Sequence, residues 1–236
     1  MSRARHRPAP APDTRELILV TAERLFAEHG VSAVSNRQVS VEAGQANNSA
    51  VGYHFGTKAD LVLAIVRHHA PDIERRREAL LESTRGSTEL RDWMACLVLP
   101  STEHLAALGI PSWHARFLAQ ATTDPTLRRI VVDESVASAS MKAVLEQLTP
   151  LVAKLPDDVA AEREDMSRHL IVHMCAERER ALEEGSATPR ASWDDAAHGL
   201  IDALVGLWQA PCTSERRRRG SEDEALHVVR QGAKER

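Results

Sequence analysis

The sequence predicts an all-α protein in which a small amino-terminal helical domain precedes a larger helical one. Ala, Leu, Glu and Arg dominate the 236 residues, and these are strong helix formers. Apolar residues recur at helical spacing, and alternating strands bounded by Asn-Gly or Asp-Gly turns are absent. The chain is long enough to bury a substantial core.

Composition narrows the classes of function. The formal net charge is −4, so any contact with nucleic acid must come from a local patch rather than from the charge of the whole protein. No uninterrupted apolar run is long enough to cross a bilayer, and the basic start lacks the apolar stretch of a secretion signal. We therefore expect a cytoplasmic protein with no membrane partner. Cys96, Cys175 and Cys212 match no disulfide or zinc spacing and are expected to be reduced thiols.

The first helix is predicted after a basic arm. Residues 1–12 carry three arginines and three prolines and are expected to be disordered. Asp13 then begins a helix, with Glu16 three residues later completing a capping box. Gly30 ends this helix.

Two short helices follow and complete a predicted helix-turn-helix domain over residues 13–56. The second helix begins after Ser35 and stops at Gly44, and the third begins near Asn47 or Asn48 and runs to about Phe55. Glycine adopts the left-handed backbone of a tight turn at low cost. Two helices joined by such a turn cross steeply, so the third is expected to project outward.

Residues 57–210 are predicted to form the larger helical domain. Thr57 caps a fourth helix, with Asp60 at the capping-box position, and Pro71 is expected to kink or divide it. The further helical segments lie near residues 87–107, 111–122, 125–153, 157–184 and 192–209. Residues 211–236 are charged, poor in apolar side chains and expected to be mostly disordered.

The third helix predicts a nucleic-acid interface. Its outward residues are short or hydrogen-bonding and uncharged, which suits the floor of a major groove. Tyr53 offers a hydroxyl on a rigid ring, and Lys58 lies in the first turn of the next helix, where a phosphate is well matched. The residues predicted to contact DNA are Ser35, Arg37, Asn47, Asn48, Ser49, Gly52, Tyr53, His54, Thr57 and Lys58. The alternative for Tyr53 is a half-buried structural role, and for Arg37 an ordinary solvated side chain.

The segment from Thr14 to His69 resembles the DNA-binding domain of TetR-family transcriptional repressors. The resemblance rests on "LFAEHG" in the first helix, the triplet "YHF" at 53–55 and the helix start "TKADL" at 57–61. It implies an all-helical homodimer with a ligand-binding carboxy-terminal domain that releases DNA when an inducer binds. Tyr53 and Lys58 then correspond to the family's phosphate-contacting tyrosine and lysine.

One feature departs from the family pattern. Gln45 stands where an apolar residue is usual, and one extra residue separates Gly44 from the "YHF" triplet. A lengthened turn is expected, with Ala46 supplying the apolar contact. Which of Asn47, Asn48 and Ser49 reads a base therefore stays open, as does any DNA contact by the basic arm or by Arg216–Arg219.

The last long helix predicts an interaction surface, because its apolar residues form a broad stripe with small residues nearby. By analogy with the family, helices 157–184 and 192–209 are expected to pair with their symmetry mates. The predicted interface consists of Leu170, Met174, Trp193, Ala197, Leu200, Ile201, Leu204 and Trp208. A core helix within one subunit is the alternative.

An inducer pocket is the least defined prediction. Its expected lining is Trp93, Met94, Leu97, Trp113, His114, Phe117, Met141 and Leu145, with His104 as a further polar contact. Core packing explains most of these residues equally well. The inducer is expected to be small and largely apolar.

No catalytic, cofactor or metal site is predicted. His169, His173 and Glu177 have a metal-ligand spacing on one helical face, but Leu170 and Met174 beside them indicate a packing surface. The resulting hypothesis is a non-enzymatic, homodimeric, ligand-responsive repressor that binds a palindromic double-stranded operator. The alternatives are a helical protein-interaction module and an activator with the same fold.

Overall fold

The computed structural model describes residues 13–152 and 155–212. Within them the regular secondary structure is entirely α-helical, which confirms the predicted fold class. The helices are α1 (Thr14–His29), α2 (Asn36–Glu42), α3 (Ala50–Phe55), α4 (Lys58–Thr84), α5 (Leu90–Leu108), α6 (His114–Ala121), α7 (Pro125–Ala137), α8 (Ala139–Val152), α9 (Asp157–Glu183) and α10 (Trp193–Gln209). The predicted basic arm and most of the charged tail lie outside the described residues.

The amino-terminal core draws on all of the first four helices. Ile18 and Phe26 of α1, Val39 of α2, Val51 of α3 and Leu61 of α4 are fully buried in one apolar cluster. Burial of each such side chain stabilises the fold by about 1.5–3 kcal/mol. The cluster continues to α6 and α7, so this domain packs directly on the rest of the chain.

The start of α1 differs from the prediction. Asp13 caps the helix, but its carboxylate accepts a hydrogen bond from the Arg15 amide at 3.3 Å. Glu16 instead lies against α4, with its Oε1 3.6 Å from Nε2 of His68. The contact with α4 thus replaces the predicted capping box.

The start of α4 agrees with the prediction. Thr57 and Asp60 form the predicted capping box. Pro71 was expected to kink or divide the helix, and it does not divide it, because α4 runs from Lys58 to Thr84 with Pro71 inside. A proline inside a helix costs about 3 kcal/mol. Packing of α4 against α5, α7 and α8 offsets that cost.

The segment predicted as one helix over 125–153 is two helices. The backbone of Ser138 is extended, with ψ 148°, and separates α7 from α8. Its hydroxyl accepts a hydrogen bond from the Met141 amide at 3.2 Å and so caps α8. Serine competes well for such a cap, whereas the apolar periodicity on either side masks the break.

The carboxy-terminal core is centred on α5 and α10, which form the most extensive helix pair. Trp93, Met94 and Val98 of α5 meet Ile201 and Leu204 of α10, and all five are buried. Each of the described helices is too short or too polar to span a membrane.

The contact between α2 and α3 depends on Ser40, which is fully buried. We expect Ser40→Ala to lower the free energy of unfolding by about 1–2 kcal/mol, because it leaves the buried Val51 amide, now 3.3 Å from Ser40 Oγ, without an acceptor. Urea denaturation measures the change. The control is Ser49→Ala, since Ser49 is exposed and its side chain makes no capping bond. Equal stability of the two variants would contradict this role.

Candidate nucleic-acid interface

The outward face of α3 carries the most exposed aromatic side chain among the large hydrophobic residues described. Tyr53 is 84% exposed, whereas Ala50 and Val51 of the same helix are buried. The Tyr53 ring meets the ring of His54 edge-on, with centroids 5.0 Å apart. Gly52 is exposed with open space beside it. The solvent-facing side of α3 therefore presents the phenol of Tyr53 and, at Gly52, backbone that no side chain covers.

Ser40 holds α3 against α2. Its hydroxyl donates to the carbonyl of Asn36 at 3.1 Å and accepts from the amide of Val51 at 3.3 Å. A larger side chain at this fully buried position would separate the two helices. The crossing of α2 and α3 thus follows from one small polar residue.

The turn before α3 runs from the end of α2 at Glu42 to Ala50, so α3 begins later than expected. Ala46, which was expected to supply the apolar contact of this turn, is exposed instead. Gly44 adopts φ 67°, and the Gln45 amide donates to the carbonyl of Ser40 at 3.0 Å. The Asn47 side chain accepts from the Ser49 amide at 2.9 Å, and α3 starts at Ala50.

Asn47, Asn48 and Ser49 therefore precede α3 instead of lying on it. All three are exposed. Since Asn47 Oδ1 already accepts a backbone hydrogen bond, Asn48 and Ser49 have the more available side chains at this edge.

Lys58 is held in place by the fold. Its Nζ donates to the carbonyl of Val31, in the loop between α1 and α2, at 2.9 Å, and the residue is half-buried. An ammonium has three donors, so two remain for another acceptor. Thr57 and Asp60 satisfy each other in the capping box, with Thr57 Oγ1 2.6 Å from Asp60 Oδ2. The Thr57 hydroxyl therefore has a structural task in this state.

The start of α2 shows a similar division of roles. Ser35 forms a capping box with Gln38, whose amide donates to Ser35 Oγ at 3.2 Å. Arg37, two residues after Ser35, is exposed. Ser35 therefore orients the helix that presents Arg37 to solvent.

Arg15 was missed by sequence reasoning. Its guanidinium lies over the Phe55 ring, 4.8 Å from the centroid, and the residue is exposed. This places a cation beside α3. The available signal was a basic residue in the first turn of α1, where the helix dipole disfavours positive charge.

A polar cluster that is largely buried lies where α1, α4, α5 and α6 meet, and sequence reasoning missed it as well. We call Glu23, His69, His104, His114 and Asp72 the junction cluster. Glu23 Oε1 lies 2.9 Å from His69 Nε2 and 3.0 Å from His114 Nδ1. His69 Nδ1 is 2.8 Å from His104 Nε2, and His104 Nδ1 is 2.8 Å from Asp72 Oδ2. Its members lie up to 91 residues apart in the sequence. No local sequence pattern therefore predicts the cluster.

The environment sets the charges of the junction cluster. Burial raises the pKa of Glu23, but contacts led by the hydrogen bond with His114 outweigh it and lower that pKa to about 2. Burial lowers the pKa of His114 to about 4, and burial also lowers the pKa of His104. The hydrogen bond from His104 holds the pKa of Asp72 well below its usual range. At neutral pH the two carboxyls are thus ionised and His104 and His114 are neutral.

The predicted pocket residues are distributed over different parts of the packing. Trp93 and Met94 are buried in the α5–α10 core, with Leu97 packed against it. Phe117 and Trp113 belong to the amino-terminal core, His114 and His104 belong to the junction cluster, Met141 is half-buried, and Leu145 is 38% exposed. Most of these residues therefore pack in the protein interior, which was the alternative interpretation from the sequence.

The predicted interface residues are likewise divided. Ala197, Leu200, Ile201 and Leu204 are buried within a single chain. Trp193, Leu170 and Trp208 are half-buried, and the Trp208 indole donates to Ser167 Oγ at 2.8 Å. Met174 is 56% exposed. A buried side chain has little surface left to give to a partner, so of this set mainly Met174 remains available.

The part of the chain that contains α2 and α3 is similar in sequence to known proteins. Residues 18–65 match the model of the bacterial regulatory proteins of the tetR family. The chain is 34% identical over 88 residues to the HTH-type transcriptional repressor AcnR of Corynebacterium glutamicum and 33% identical over 88 residues to AcnR of Corynebacterium efficiens. Each alignment covers 35% of this chain and 46% of the relative. The chain thus spans about half the length of the curated relatives it matches.

The fold extends the similarity beyond that segment. A crystal structure reported as a tetR family transcription regulator from Shewanella sp. PV-4 superposes with a TM-score of 0.51 at 17% identity. It covers 84% of this chain and 96% of that one. At this identity the likeness concerns the fold alone.

Proposed function

We propose that this chain, whose amino-terminal domain belongs to the TetR family of bacterial regulatory proteins, is a DNA-binding transcriptional repressor and not an enzyme. It would act in the cytoplasm, on a palindromic double-stranded operator, as a homodimer. The division into a helix-turn-helix domain over 13–56 and a regulatory domain over 57–210 forms part of this proposal.

One observation carries the proposal. Tyr53 exposes 84% of its surface, and it lies on a helix whose opposite side is buried. Lys58, in the first turn of the following helix, is held in position by its hydrogen bond to the carbonyl of Val31. An exposed phenol contributes little to the stability of a soluble domain, whereas it can hydrogen-bond a phosphate oxygen. A fixed ammonium loses little side-chain freedom on binding. These two groups would seat α3 in the major groove.

The bases would be read by the residues between the two anchors and just before them. We propose Asn48, Ser49 and Gly52 at the groove floor, with Asn47 shaping the turn. His54, Ser35, Arg37 and Thr57 would lie at the rim, where contacts to phosphate position the domain without reading sequence.

The experiment that tests this function is a gel-shift assay with the DNA upstream of the protein's own gene. A phosphate-anchored complex should weaken steeply as salt rises, because bound phosphates release counterions. A protein-interaction module would leave this DNA unshifted at every salt concentration. An activator would also bind, and a reporter fused to the shifted promoter separates activation from repression.

For the homodimer we propose an interface on the exposed side of α9 and α10, which pack side by side. Met166 and Met174 of α9 are 41% and 56% exposed, and Gly206 of α10 has open space where a side chain would project. Exposed methionines and a bare backbone permit close helix approach. Two reading helices could then lie about 34 Å apart, one turn of DNA.

Met174→Asp is expected to weaken dimerisation at least 100-fold, because a carboxylate would be buried at the contact. Light scattering coupled to gel filtration measures the mass. Val136→Asp is the matched control, since Val136 is 39% exposed on α7. A Met174→Asp protein that remains dimeric would exclude this face. Leu200→Asp is less informative, because Leu200 is buried and the change tests folding.

Effector response would pass through the contacts of α1 with α4 and α6. A ligand that moves α4 relative to α1 would change the distance between the α3 helices of the two subunits. The affinity for DNA would then fall, because both helices could no longer enter the major groove of the same operator. A small apolar inducer between α5 and α6 would have to displace side chains such as Phe117, which is fully buried. The polar contacts at the same junction suggest another class of effector.

A further inference from the structure

The junction cluster brings three potential ligand atoms to one buried point. Glu23 Oε1, His69 Nε2 and His114 Nδ1 all lie within 4.8 Å of one another. The three side chains are at least 93% buried. The rings of His69 and His114 stack with centroids 3.8 Å apart and an angle of 30° between their planes, so both present a nitrogen to the same carboxylate.

His69 Nε2 is the atom that the fold leaves unsatisfied. It lies 2.9 Å from Glu23 Oε1, yet it makes no hydrogen bond there or elsewhere among the described residues. Buried polar atoms are rarely left without a partner. A nitrogen that is buried and aimed at a carboxylate without hydrogen-bond geometry indicates that something else completes the site.

The hydrogen bonds behind His69 show which nitrogen carries its proton. Asp72 is paired with Arg75 and Arg76, so its carboxylate accepts from His104 Nδ1. His104 Nε2 then accepts from His69 Nδ1. In a neutral His69 the lone pair of Nε2 therefore faces the carboxylate oxygen of Glu23. Two lone pairs at this separation repel unless a cation lies between them.

We propose that Glu23 Oε1, His69 Nε2 and His114 Nδ1 bind a divalent transition-metal ion, with Zn²⁺ the best fit. Two imidazoles and one carboxylate are a frequent zinc ligand set, and a fourth position is left for water or a further ligand. Tetrahedral coordination at about 2.0–2.1 Å places ligand atoms roughly 3.3 Å apart. The separations of His69 Nε2 and His114 Nδ1 from Glu23 Oε1, 2.9 and 3.0 Å, lie within a few tenths of an ångström of that value, and the two nitrogens lie within 4.8 Å of each other.

His104 and Asp72 complete the site as its outer layer. A metal-bound imidazole usually donates its other N–H to an acceptor, which fixes the ring and makes it a better ligand. The chain from His69 through His104 to Asp72 has this arrangement. The exposed pair His169 and His173, which has a ligand spacing in the sequence, lacks any comparable enclosure.

The position of the site couples the two domains. Glu23 belongs to α1, against which α2 packs, whereas His69 and His114 belong to α4 and α6. A bound ion would fix the position of α1 relative to α4 and α6. It would thereby also fix the orientation of α3, the proposed DNA-reading helix. This consequence rests on the proposed function, whereas metal binding itself does not.

The test uses the full-length protein stripped with EDTA. Titration with Zn²⁺ in a calorimeter should give one ion per chain, and Co²⁺ should give the visible absorption bands of a tetrahedral site. His69→Gln and His114→Gln should each weaken binding at least about 100-fold, and His104→Gln about 10–100-fold. The matched control is the double variant His169→Gln, His173→Gln, which should bind as the wild type does.

Wild-type protein that gives no Co²⁺ bands and no Zn²⁺ heat would overturn the site. Loss of binding in the control variant, with retention in His69→Gln, would also overturn it. Circular dichroism shows which variants fold. If neither ligand variant folds, His104→Gln decides, because unchanged Zn²⁺ affinity there would place the ion away from His69, to which His104 is hydrogen-bonded, and would overturn the site. Operator affinity with EDTA and with Zn²⁺ then tests regulation alone: a tenfold difference supports it and equal affinity excludes it.

Discussion

Operator binding should fall by about 100-fold or more when Tyr53 is replaced by phenylalanine and Lys58 by methionine in the same chain. Each change removes a hydrogen-bonding group that the proposed interface places on a phosphate, and a hydrogen bond to a charged group contributes about 1.5–3 kcal/mol. In a symmetric dimer each contact occurs twice. Fluorescence anisotropy with a labelled operator duplex, recovered by affinity selection from genomic DNA, measures the change.

The controls separate binding from folding. Tyr53→Phe leaves the ring in place, and the Tyr53 hydroxyl makes no hydrogen bond among the described residues, so the stability of this single variant should be unchanged. Lys58→Met loses the bond to Val31 and should cost about 1 kcal/mol. Lys142→Met removes an exposed lysine of α8 and should bind DNA normally. A double variant with wild-type affinity would refute both assignments.

Glu179→Ala should lower the free energy of unfolding by about 3–5 kcal/mol, because it removes the buried carboxylate that pairs with Arg116 and leaves, among the described residues, only the more exposed Glu183 as its ionic partner. Glu179 is 2% exposed and links α9 to the start of α6. Its Oε1 accepts from Ser112 Oγ at 2.9 Å and from the Ala115 amide at 3.2 Å, and its Oε2 accepts from the Arg116 amide at 2.9 Å and from Arg116 Nε at 3.3 Å. The variant leaves four donors unsatisfied in the interior.

Urea denaturation followed by circular dichroism measures this loss. Glu177→Ala on the same helix is the matched control, because Glu177 is 65% exposed and pairs only across the surface with Arg180 at 3.2 Å. Such pairs contribute about 0–1 kcal/mol. Similar midpoints for the two variants would show that the carboxylate of Glu179 does not hold α6 to α9.

Local signals in the sequence predicted several features of the first four helices. Thr57 and Asp60 form the expected capping box, and Gly44 has the positive φ that its turn requires. These features depend on residues three or four apart, so a single sequence contains the information. The late start of α3 at Ala50 depends instead on Asn47, whose side chain holds the turn open through Ser49.

Long-range contacts explain what could not be predicted. Pro71 lies inside α4 because three other helices support it. Glu179 and Arg116 are 63 residues apart, and Glu23 and His114 are 91 apart, so neither pairing leaves a periodic pattern. The apolar stripe of α10 was visible in the sequence. Periodicity alone does not say whether such a stripe covers another helix of the same chain or a partner.

The most direct test of the proposed DNA contact by Tyr53 uses the fact that Tyr53 is the only tyrosine in the sequence. Protein grown with 3-fluorotyrosine gives a single fluorine resonance, which reports on this ring alone. Adding the operator duplex should shift and broaden that resonance, whereas an unrelated duplex at the same concentration should do so much less. An unchanged fluorine signal in a sample where anisotropy shows the operator to be bound would place Tyr53 away from DNA and contradict the proposed interface.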